Sequence, residues 1–419
     1  TGLQPNEYEV AVELEGFRSA TRPLVVLPVQ GAVKIDFTME VGQVTESITV
    51  TGETALVRPT EHSIHTVVDR FRVEDLPLKT RDFMDLALLA PGVLLDQSSI
   101  RSGATDSISF FGMDEPHKAI WLDGVDFNDE VVGGGTNISG ATRTRLGQEA
   151  IQEFQVMSTG YSPEFGRSGS GAINVVLKSG GNDLHGSGFY FIRDEAFDKP
   201  AFRLRGGIPF QEGDVPEFRT QQYGGTIGGP FARNSAFYFF SLERKTNKES
   251  SQITIPDTVK TFVDSLNLGY DTRSSVSQDR RQFNAIGKFD FNLNDRNTLH
   301  LTYLYDDDND LNKDIGGEDA ADRGFDDLNN SYFATANWTS LIGANLVNEL
   351  RINRSKQQLF RSIRKDSSFL PGLIFPSVNI GLDGNAVPQG RNQKNWILSS
   401  TSTYVWGNHT LKWGGEMND

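Results

Sequence analysis

Residues 282–306, QFNAIGKFDFNLNDRNTLHLTYLYD, contain two runs in which apolar and polar side chains alternate. The alternating apolar residues of the two runs are Phe289, Phe291 and Leu293, and then Leu299, Leu301, Tyr303 and Tyr305. Successive side chains of a strand point to opposite faces, so each run predicts a strand with one apolar and one polar face. Only a few polar residues separate the runs, which predicts an antiparallel hairpin with its aromatic residues on the outer face.

Similar segments of about ten residues recur from residue 184 to the end of the chain. The nine predicted strands are His185–Arg193, Gln221–Gly229, Ser235–Lys245, Gln282–Leu293, Asn297–Asp306, Ser331–Leu341, Leu346–Lys356, Asn395–Trp406 and His409–Glu416. Short turns alternate with long loops between them, which is typical of a transmembrane β-barrel with apolar residues outside and polar residues inside. A soluble sandwich would also alternate, but it rarely combines long loops on one side with so many aromatic residues at strand ends.

Composition excludes several classes of function. The 419 residues carry 40 Lys and Arg against 55 Asp and Glu, a net charge of −15, which argues against a nucleic-acid partner. The chain has no Cys, so it has no disulfide, no thiolate nucleophile and no Cys-ligated metal. The sequence also has no H-E-x-x-H, Walker, G-x-S-x-G or G-x-G-x-x-G motif. We therefore expect no enzyme activity, no cofactor and no metal site.

The sequence pattern of residues 1–54 predicts strands followed by a connecting segment. Alternation at Tyr8–Leu14, Leu24–Val29 and Val33–Met39 predicts part of a β-sandwich over residues 1–42. Residues 43–54 are rich in β-branched side chains, and on composition alone they are one more edge strand or a linker.

Residues 55–183 have a mixed pattern that predicts a small α+β unit. Phe83, Leu86, Ala87 and Ala90 share one helical face before Pro91-Gly92 ends the helix. Strands are predicted at Ser107–Phe111, Lys118–Leu122, Glu153–Met157 and Gly171–Lys178. We expect Phe83, Leu86, Leu88, Ile120, Phe154, Val156 and Val175 to be largely buried in this unit.

Eight short motifs occur in a fixed order along the chain. They are Pro5–Tyr8 with Glu15–Phe17, Leu76–Phe83 with Ala90–Val93, Leu122–Asp126, Ala150–Phe154, Tyr161–Gly166, Lys178–Asn182 with His185-Gly186, Gly224–Pro230, and Phe237–Phe240. In this order the sequence resembles the TonB-dependent outer-membrane receptors, in particular their Oar-like branch.

The resemblance implies a mainly β fold in four parts. These are the end of a carboxypeptidase-regulatory-like β-sandwich (1–42), a linker with a TonB box (43–54), an α+β plug domain (55–183) and the N-terminal strands of an antiparallel transmembrane β-barrel (184–419). A plugged transporter barrel has about 22 strands. Because nine are predicted here, we expect the chain to be a fragment of a longer receptor.

The resemblance also implies a function and partners. The family imports nutrients across the bacterial outer membrane, and TonB, with its inner-membrane energising complex, drives remodelling of the plug. The implied partners are therefore TonB, outer-membrane lipid and an unknown extracellular nutrient, possibly an oligosaccharide or a peptide, with the N-terminal domain in the periplasm. An outer-membrane adhesion or structural protein of the same architecture is the alternative.

The TonB-box candidate suits pairing with a partner strand, because its β-branched residues favour an extended backbone. Its residues are Glu46, Ser47, Ile48, Thr49, Val50, Thr51 and Gly52. We expect residues 43–54 to be extended and not locked into the core of either neighbouring domain.

Substrate contacts are expected at the apical loops of the plug, by the pattern of the family. The candidates are Asp114, Glu115, His117, Phe127, Asn128 and Asp129, and the alternative is that they are ordinary polar loop residues. Residues 306–327 hold ten Asp and Glu and are predicted to form a solvated acidic surface loop. The loop fails the EF-hand pattern, since Leu311 and Gly317 stand where that motif has Gly and Glu.

Overall fold

The computed structural model describes most of the chain in segments. The described residues are 6–27, 33, 35, 37–41, 47–49, 64–76, 81, 84–95, 108–113, 117–128, 146–197, 204–205, 208–209, 217–364, 369–382, 388–407 and 409–419. Within these residues, no helix has the length and apolar character needed to cross a membrane.

The N-terminal strands form a three-stranded sheet in the order β1-β2-β3. The strands are β1 (Asn6–Val12), β2 (Ser19–Leu27) and β3 (Ser47–Thr49). β1 is antiparallel to β2, and β3 is parallel to it. The strand predicted at Val33–Met39 is wrong for the residues described there, which are not in a strand. β3 pairs with Ser19–Thr21 of β2 instead, and alternation alone does not decide which segment pairs.

Residues 64–177 contain a second, α+β unit, called the inner unit below. Its elements are β4 (Ile64–Val68), α1 (Arg70–Asp75), α2 (Met84–Ala87), β5 (Val93–Leu95), β6 (Ile108–Phe110), β7 (Lys118–Leu122), β8 (Val125–Asp126), a 3₁₀ turn (Gln148–Ala150), β9 (Ile151–Thr159) and β10 (Gly171–Leu177). Five strands form a sheet in the order β4-β9-β10-β7-β8, in which only β10 and β7 are parallel. β10 is buried along its whole length, as expected for the apolar central strand of a covered sheet.

The predicted core of this unit is confirmed where the structure describes it. Leu86, Ile120, Phe154, Val156 and Val175 are buried, and Leu88 packs against them. Phe83 lies outside the described residues. The predicted helix is reduced to the single turn α2, which ends in a turn ahead of Pro91-Gly92.

Nine strands between His185 and Asn418 form an antiparallel sheet, called the wall below. Its strands are β11 (His185–Asp194), β14 (Phe218–Ala232), β15 (Ala236–Gln252), β16 (Ser275–Asn294), β17 (Asn297–Lys313), β18 (Phe325–Ile342), β19 (Leu346–Ile363), β22 (Gln389–Trp406) and β23 (His409–Asn418). Between them lie the short strands β12 (Leu204–Arg205), β13 (Ile208–Pro209), β20 (Leu373–Ile374) and β21 (Asn379–Ile380), the helix α3 (Asp257–Ser265) and 3₁₀ turns at Glu195–Phe197 and Ala321–Arg323.

All nine predicted strands of the wall are confirmed, and most are longer than predicted. Consecutive long strands pair as a meander, and β11 and β23 each pair on one side only within the described chain. The aromatic residues predicted to face outward do so: Phe289 is paired with Leu301, on the face opposite to the buried Lys288. The wall is therefore an open, antiparallel sheet with an apolar outer face, consistent with part of a barrel.

The prediction of a solvated acidic loop at residues 306–327 is wrong. Strand β17 continues to Lys313 and β18 begins at Phe325, so much of the acidic segment belongs to two paired strands. Asp308 is buried and receives two hydrogen bonds from Arg280, and Asp327 is buried between Arg361 and Lys313. Cationic partners on neighbouring strands compensate these carboxylates, so they do not need solvent.

The long connections at one end of the wall fold together over a small hydrophobic core. The core draws on the β15–β16, β17–β18 and β19–β22 connections and consists of Ile253, Val263, Val276, Ile315, Ala320, Ala321, Val378 and Ile380. Arg364 is buried beside it, donating to the Ala321 carbonyl at 3.0 Å and to Asp271 at 2.9 Å. We call this end the cap.

Candidate functional site

The inner unit and the wall share one hydrophobic core. Phe239, Ile286, Leu304 and Phe333, from the four strands β15–β18, belong to the same cluster of buried side chains as the core of the inner unit. The rings of Phe127 and Phe333 meet at 4.4 Å between centroids. These four strands are called the docked wall, because their inward side chains hold the inner unit.

A buried ion pair crosses this interface at the turn between β7 and β8. The turn residues Asp123 and Gly124 both have positive φ, at 48° and 78°, as a tight two-residue hairpin requires. Lys288 reaches from β16, only 1% exposed, and places Nζ 3.2 Å from Asp123 Oδ2. It also donates to the Leu177 carbonyl at 3.3 Å, while the Leu177 amide donates to Asp123 Oδ1 at 3.0 Å. One wall lysine thus fixes the central turn and the end of β10 together.

A second pair lies beside the lysine on the wall itself. Asp290, two residues along β16, contacts His300 of β17 at 2.6 Å. Asp290 also accepts a hydrogen bond from Ser179, which follows the last strand of the inner unit. Lys288 therefore lies between two carboxylates, Asp123 on the inner unit and Asp290 on the wall.

Arg81 anchors the inner unit to the first strand of the wall. Its guanidinium contacts Glu149 at 2.8 Å and lies over the rings of Phe189 and Phe191, at 4.7 and 4.3 Å from their centroids. Ser187 of the same strand donates to Glu149 at 3.1 Å. Stacking a planar guanidinium on aromatic rings while a carboxylate holds its edge fixes both its position and its orientation.

An ion pair between Glu74 and Lys178 connects helix α1 to the end of the inner sheet. Glu74 accepts from Lys178 at 2.6 Å and from Arg70 at 2.9 Å. Partial burial raises the pKa of Glu74, but the hydrogen bonds and charges of Lys178 and Arg70 outweigh it, so its pKa is below the ordinary value. Gln148 adds a hydrogen bond to the Val73 carbonyl.

The connection from the inner unit to the wall passes very close to the wall backbone. A methyl group at Gly180 would collide with the Tyr238 carbonyl oxygen and would lie 2.8 Å from the Gly229 carbonyl oxygen. At the neighbouring Gly181 a methyl group would meet nothing within 4 Å. Gly180 is therefore required by close approach, whereas Gly181 is not.

The structure describes three of the seven TonB-box candidates. Ser47, Ile48 and Thr49 form β3, opposite Ser19, Ala20 and Thr21 of β2, at the edge of the N-terminal sheet. The other four candidates, Glu46, Val50, Thr51 and Gly52, lie outside the described residues.

Of the substrate-contact candidates, three are described and they are not equivalent. His117 is exposed, whereas Phe127 is buried against the docked wall. Asn128 is also buried, and its Oδ1 accepts from the Ile120 amide at 2.8 Å. Phe127 and Asn128 are therefore buried by packing and by a backbone hydrogen bond, and a role of these candidates in substrate contact stays a prediction. Asp114, Glu115 and Asp129 lie outside the described residues.

The sequence did not predict the contacts that hold the two units together, namely those of Lys288, Arg81, Glu149 and Gly180, although Arg81 and Gly180 lie within the motifs Leu76–Phe83 and Lys178–Asn182. The one available signal was a lysine on the predicted inner face of a strand, at Lys288. The described residues contain no group of three or more acidic or His side chains that could hold a metal ion.

Comparison with known proteins assigns the class of the chain. The profile of the family described as "Outer membrane beta barrel domain" matches residues 176–262 and 260–419. The chain belongs to this family, and it is an outer-membrane protein.

Proteins similar to the chain include outer-membrane transporters and receptors. The TonB-dependent transporter Oar of Myxococcus xanthus is 25% identical over 250 residues, which are 57% of this chain and 22% of Oar. The outer-membrane transporter YddB of Escherichia coli has a TM-score of 0.62 at 15% identity, covering 84% of this chain and 48% of YddB. The siderophore receptor PirA of Acinetobacter baumannii has a TM-score of 0.56 at 17% identity, covering 85% and 48%. The chain thus spans about half the length of these structures and less of Oar.

Proposed function

We propose that the chain is part of a TonB-dependent receptor that imports a nutrient by remodelling a plug. The inner unit is the plug, within a domain at residues 55–183, and the wall is the N-terminal part of the barrel at residues 184–419. Residues 1–42 end a periplasmic sandwich and residues 43–54 link it to the plug. The observation that carries the proposal is the buried Lys288–Asp123 pair, through which the wall holds the central turn of the inner unit.

The outer membrane has no ion gradient of its own, so active import needs a mechanical link to the inner membrane. We assign that link to Glu46–Gly52. β3, within this segment, is an edge strand whose partner is β2 on one side. An edge strand offers unpaired backbone groups, so a strand of TonB can add to it.

The proposal also concerns the chemical class of the imported ligand. We favour a larger organic nutrient, an oligosaccharide or a peptide, by analogy with receptors that carry an N-terminal sandwich. PirA, a structural neighbour, is a siderophore receptor, so a ferric chelate is the competing class. Mass spectrometry of ligands that co-purify with the full-length receptor separates the classes.

The coupling segment can be tested in the full-length receptor through a new cysteine, because these 419 residues contain none. Ile48→Cys should form a disulfide with cysteine variants of the TonB C-terminal domain in energised cells. Adding Val50→Pro should remove that cross-link, because proline removes one N–H and fixes φ. Val57→Pro, a matched change outside the segment, should leave the cross-link intact. A cross-link that survives Val50→Pro would show that coupling lies elsewhere.

Adhesion remains the second candidate function because the cap is a folded surface with its own core. A preformed surface of this kind suits a lasting contact with another surface. Deleting Glu46–Gly52 from the full-length protein distinguishes the two functions, since uptake requires the segment and adhesion does not.

A further inference from the structure

Three cationic side chains lie close together on the outer face of the wall. Lys356 of β19 and Lys394 of β22 are directly opposite each other in the antiparallel pair. Arg354, two residues along β19, is opposite Trp396 of β22, and its guanidinium lies 5.1 Å from the centre of that ring. We call these four residues the cationic patch. β19 pairs with β18 and β22, and β22 pairs with β19 and β23, so the patch lies within the sheet and not on an edge strand.

The cationic patch faces away from the inner unit. Ser355 and Gln357, which precede and follow Lys356 along β19, are buried on the inner face. Because successive side chains of a strand alternate between its faces, Lys356 points outward. Lys394 is exposed, and Trp396 is 51% exposed. The outer face of a barrel is the face that contacts lipid, so these charges lie against the membrane.

The charge of the patch is not compensated by the chain where the structure describes it. Two like charges directly opposite each other in a sheet are destabilising, as Lys356 and Lys394 are here. Within the described residues, none of the three cations forms an ion pair with a carboxylate. Asp419 pairs with Trp396 through its backbone, but its carboxylate forms no ion pair with the patch. The patch is therefore suited to an anionic partner that contacts the outer face of the wall.

The position of the patch along the strands corresponds to the outer boundary of the membrane. Short turns of such barrels are periplasmic and long loops are extracellular, so the cap is the extracellular end. From Leu346, beside a short turn, to Lys356 the strand spans about 34 Å, or about 26 Å along the membrane normal at a tilt of about 40°. The apolar band of such barrels is about 25 Å tall. Lys356 is also opposite Tyr332, which stacks on Tyr303 as expected in an aromatic girdle. The patch therefore lies where the apolar band ends and the head groups of the outer leaflet begin.

We propose that the cationic patch binds the phosphate groups of a phosphorylated glycolipid of the outer leaflet. The two lysines supply charge at the level of the head groups, where each cation near an anionic lipid surface strengthens binding. The ring of Trp396 holds the Arg354 guanidinium from one face, which leaves its N–H edge free to donate to phosphate oxygens. A tryptophan at this level also suits the boundary between acyl chains and sugars. This inference rests on the outer-membrane barrel family and is independent of the proposed import function.

Lipid binding to the full-length protein in a neutral detergent tests this site. Native mass spectrometry measures the affinity for three probes, namely bisphosphorylated lipid A, the same lipid A after removal of both phosphates, and phosphatidylglycerol. We expect the wild-type protein to bind bisphosphorylated lipid A at least about tenfold more tightly than the dephosphorylated form, and more tightly than phosphatidylglycerol. Equal affinity for the two forms of lipid A would overturn the phosphate site, and equal affinity for phosphatidylglycerol would overturn the assignment to the glycolipid. These comparisons need no variant.

A pair of charge-matched variants locates the site on the wall. Lys356→Gln with Lys394→Gln should weaken the binding of bisphosphorylated lipid A at least about tenfold and leave that of the dephosphorylated form unchanged. The control, Lys248→Gln with Arg281→Gln, removes two cations from the same face of β15 and β16. Asp279 contacts Arg281 at 2.5 Å and is opposite Lys248, so these cations are already compensated and the control should change the affinity less than about twofold. Equal losses in the two double variants would show that general surface charge attracts the lipid, and would overturn the patch.

Discussion

Replacing Lys288 by Met should loosen the inner unit without unfolding the wall. The substitution keeps an apolar chain of similar length but leaves Asp123 and Asp290 without the cation between them. Removing one partner of a buried ion pair costs about 3–5 kcal/mol. At about 1.4 kcal/mol per tenfold, the equilibrium for local opening should rise by about 100- to 5,000-fold.

Hydrogen exchange of the full-length receptor in detergent measures this opening residue by residue. The amide of Leu177, which donates to Asp123 in the native state, should lose protection by that factor, as should its neighbours in β10. Amides in the middle of β18 should keep their protection. The double variant Lys288→Met with Asp123→Asn removes the carboxylate of the inner unit, and Asp290 keeps its contact with His300, so the double variant should recover most of the loss. Equal losses in the single and double variants, or a loss below about threefold in the single variant, would refute the buried-pair argument.

Three further predictions concern other attachments of the inner unit and the cap. Gly180→Ala should reduce the yield of folded receptor and lower its thermal midpoint, because the new methyl group collides with the wall backbone, whereas Gly181→Ala should leave both unchanged. The Glu74–Lys178 contact should stabilise α1 at neutral pH and be lost as pH falls below about 4.5, because the folded pKa of Glu74 is depressed. Hydrogen exchange of the α1 amides against pH measures this loss, and Lys178→Met should weaken the pH dependence, leaving the part that Arg70 supplies. Partial burial raises the pKa of Asp271, but hydrogen bonds from two arginines lower it to about 2, so the cap should keep its protease resistance at pH 4 and lose it as pH approaches 2.

The wall was predictable because its evidence is local. Alternation with a period of two residues is visible in any window of ten, and all nine strands were found. Several strands are longer than predicted, because the residues at their ends are polar on both faces of the strand. Residues 306–313, DDDNDLNK, have no apolar face, so periodicity carries no signal there and the run resembles a loop. Backbone pairing with β16 and β18, together with the contact between Arg280 and Asp308, makes it a strand, and a single sequence does not show that pairing.

The attachment of the inner unit to the wall was not predictable, because it depends on contacts between side chains that are distant in the sequence. Lys288 and Asp123 lie far apart in the chain, and neither has a distinctive neighbourhood that reveals the other. The core of the cap was missed because three separate connections each supply only a few of its apolar residues. Burial of the inner core was predictable, since its strands carry dense apolar runs.

The topology of the inner sheet bears on what a pull from the N-terminal side would do. β4 is the first strand of that sheet in the chain and lies at its edge, where it pairs with β9 and with no other strand of the described residues. β10, at the centre, is buried along its length and leads directly into the connection at Gly180. A force transmitted from residues 43–54 reaches β4 and then α1, whose tie to Lys178 is partly exposed, before it reaches any buried pair. The Lys288–Asp123 pair lies beyond these elements, on the side of the sheet opposite to β4. We therefore expect a pull on residues 43–54 to release the N-terminal edge of the inner unit before its central turn, which the Lys288–Asp123 pair holds on the docked wall.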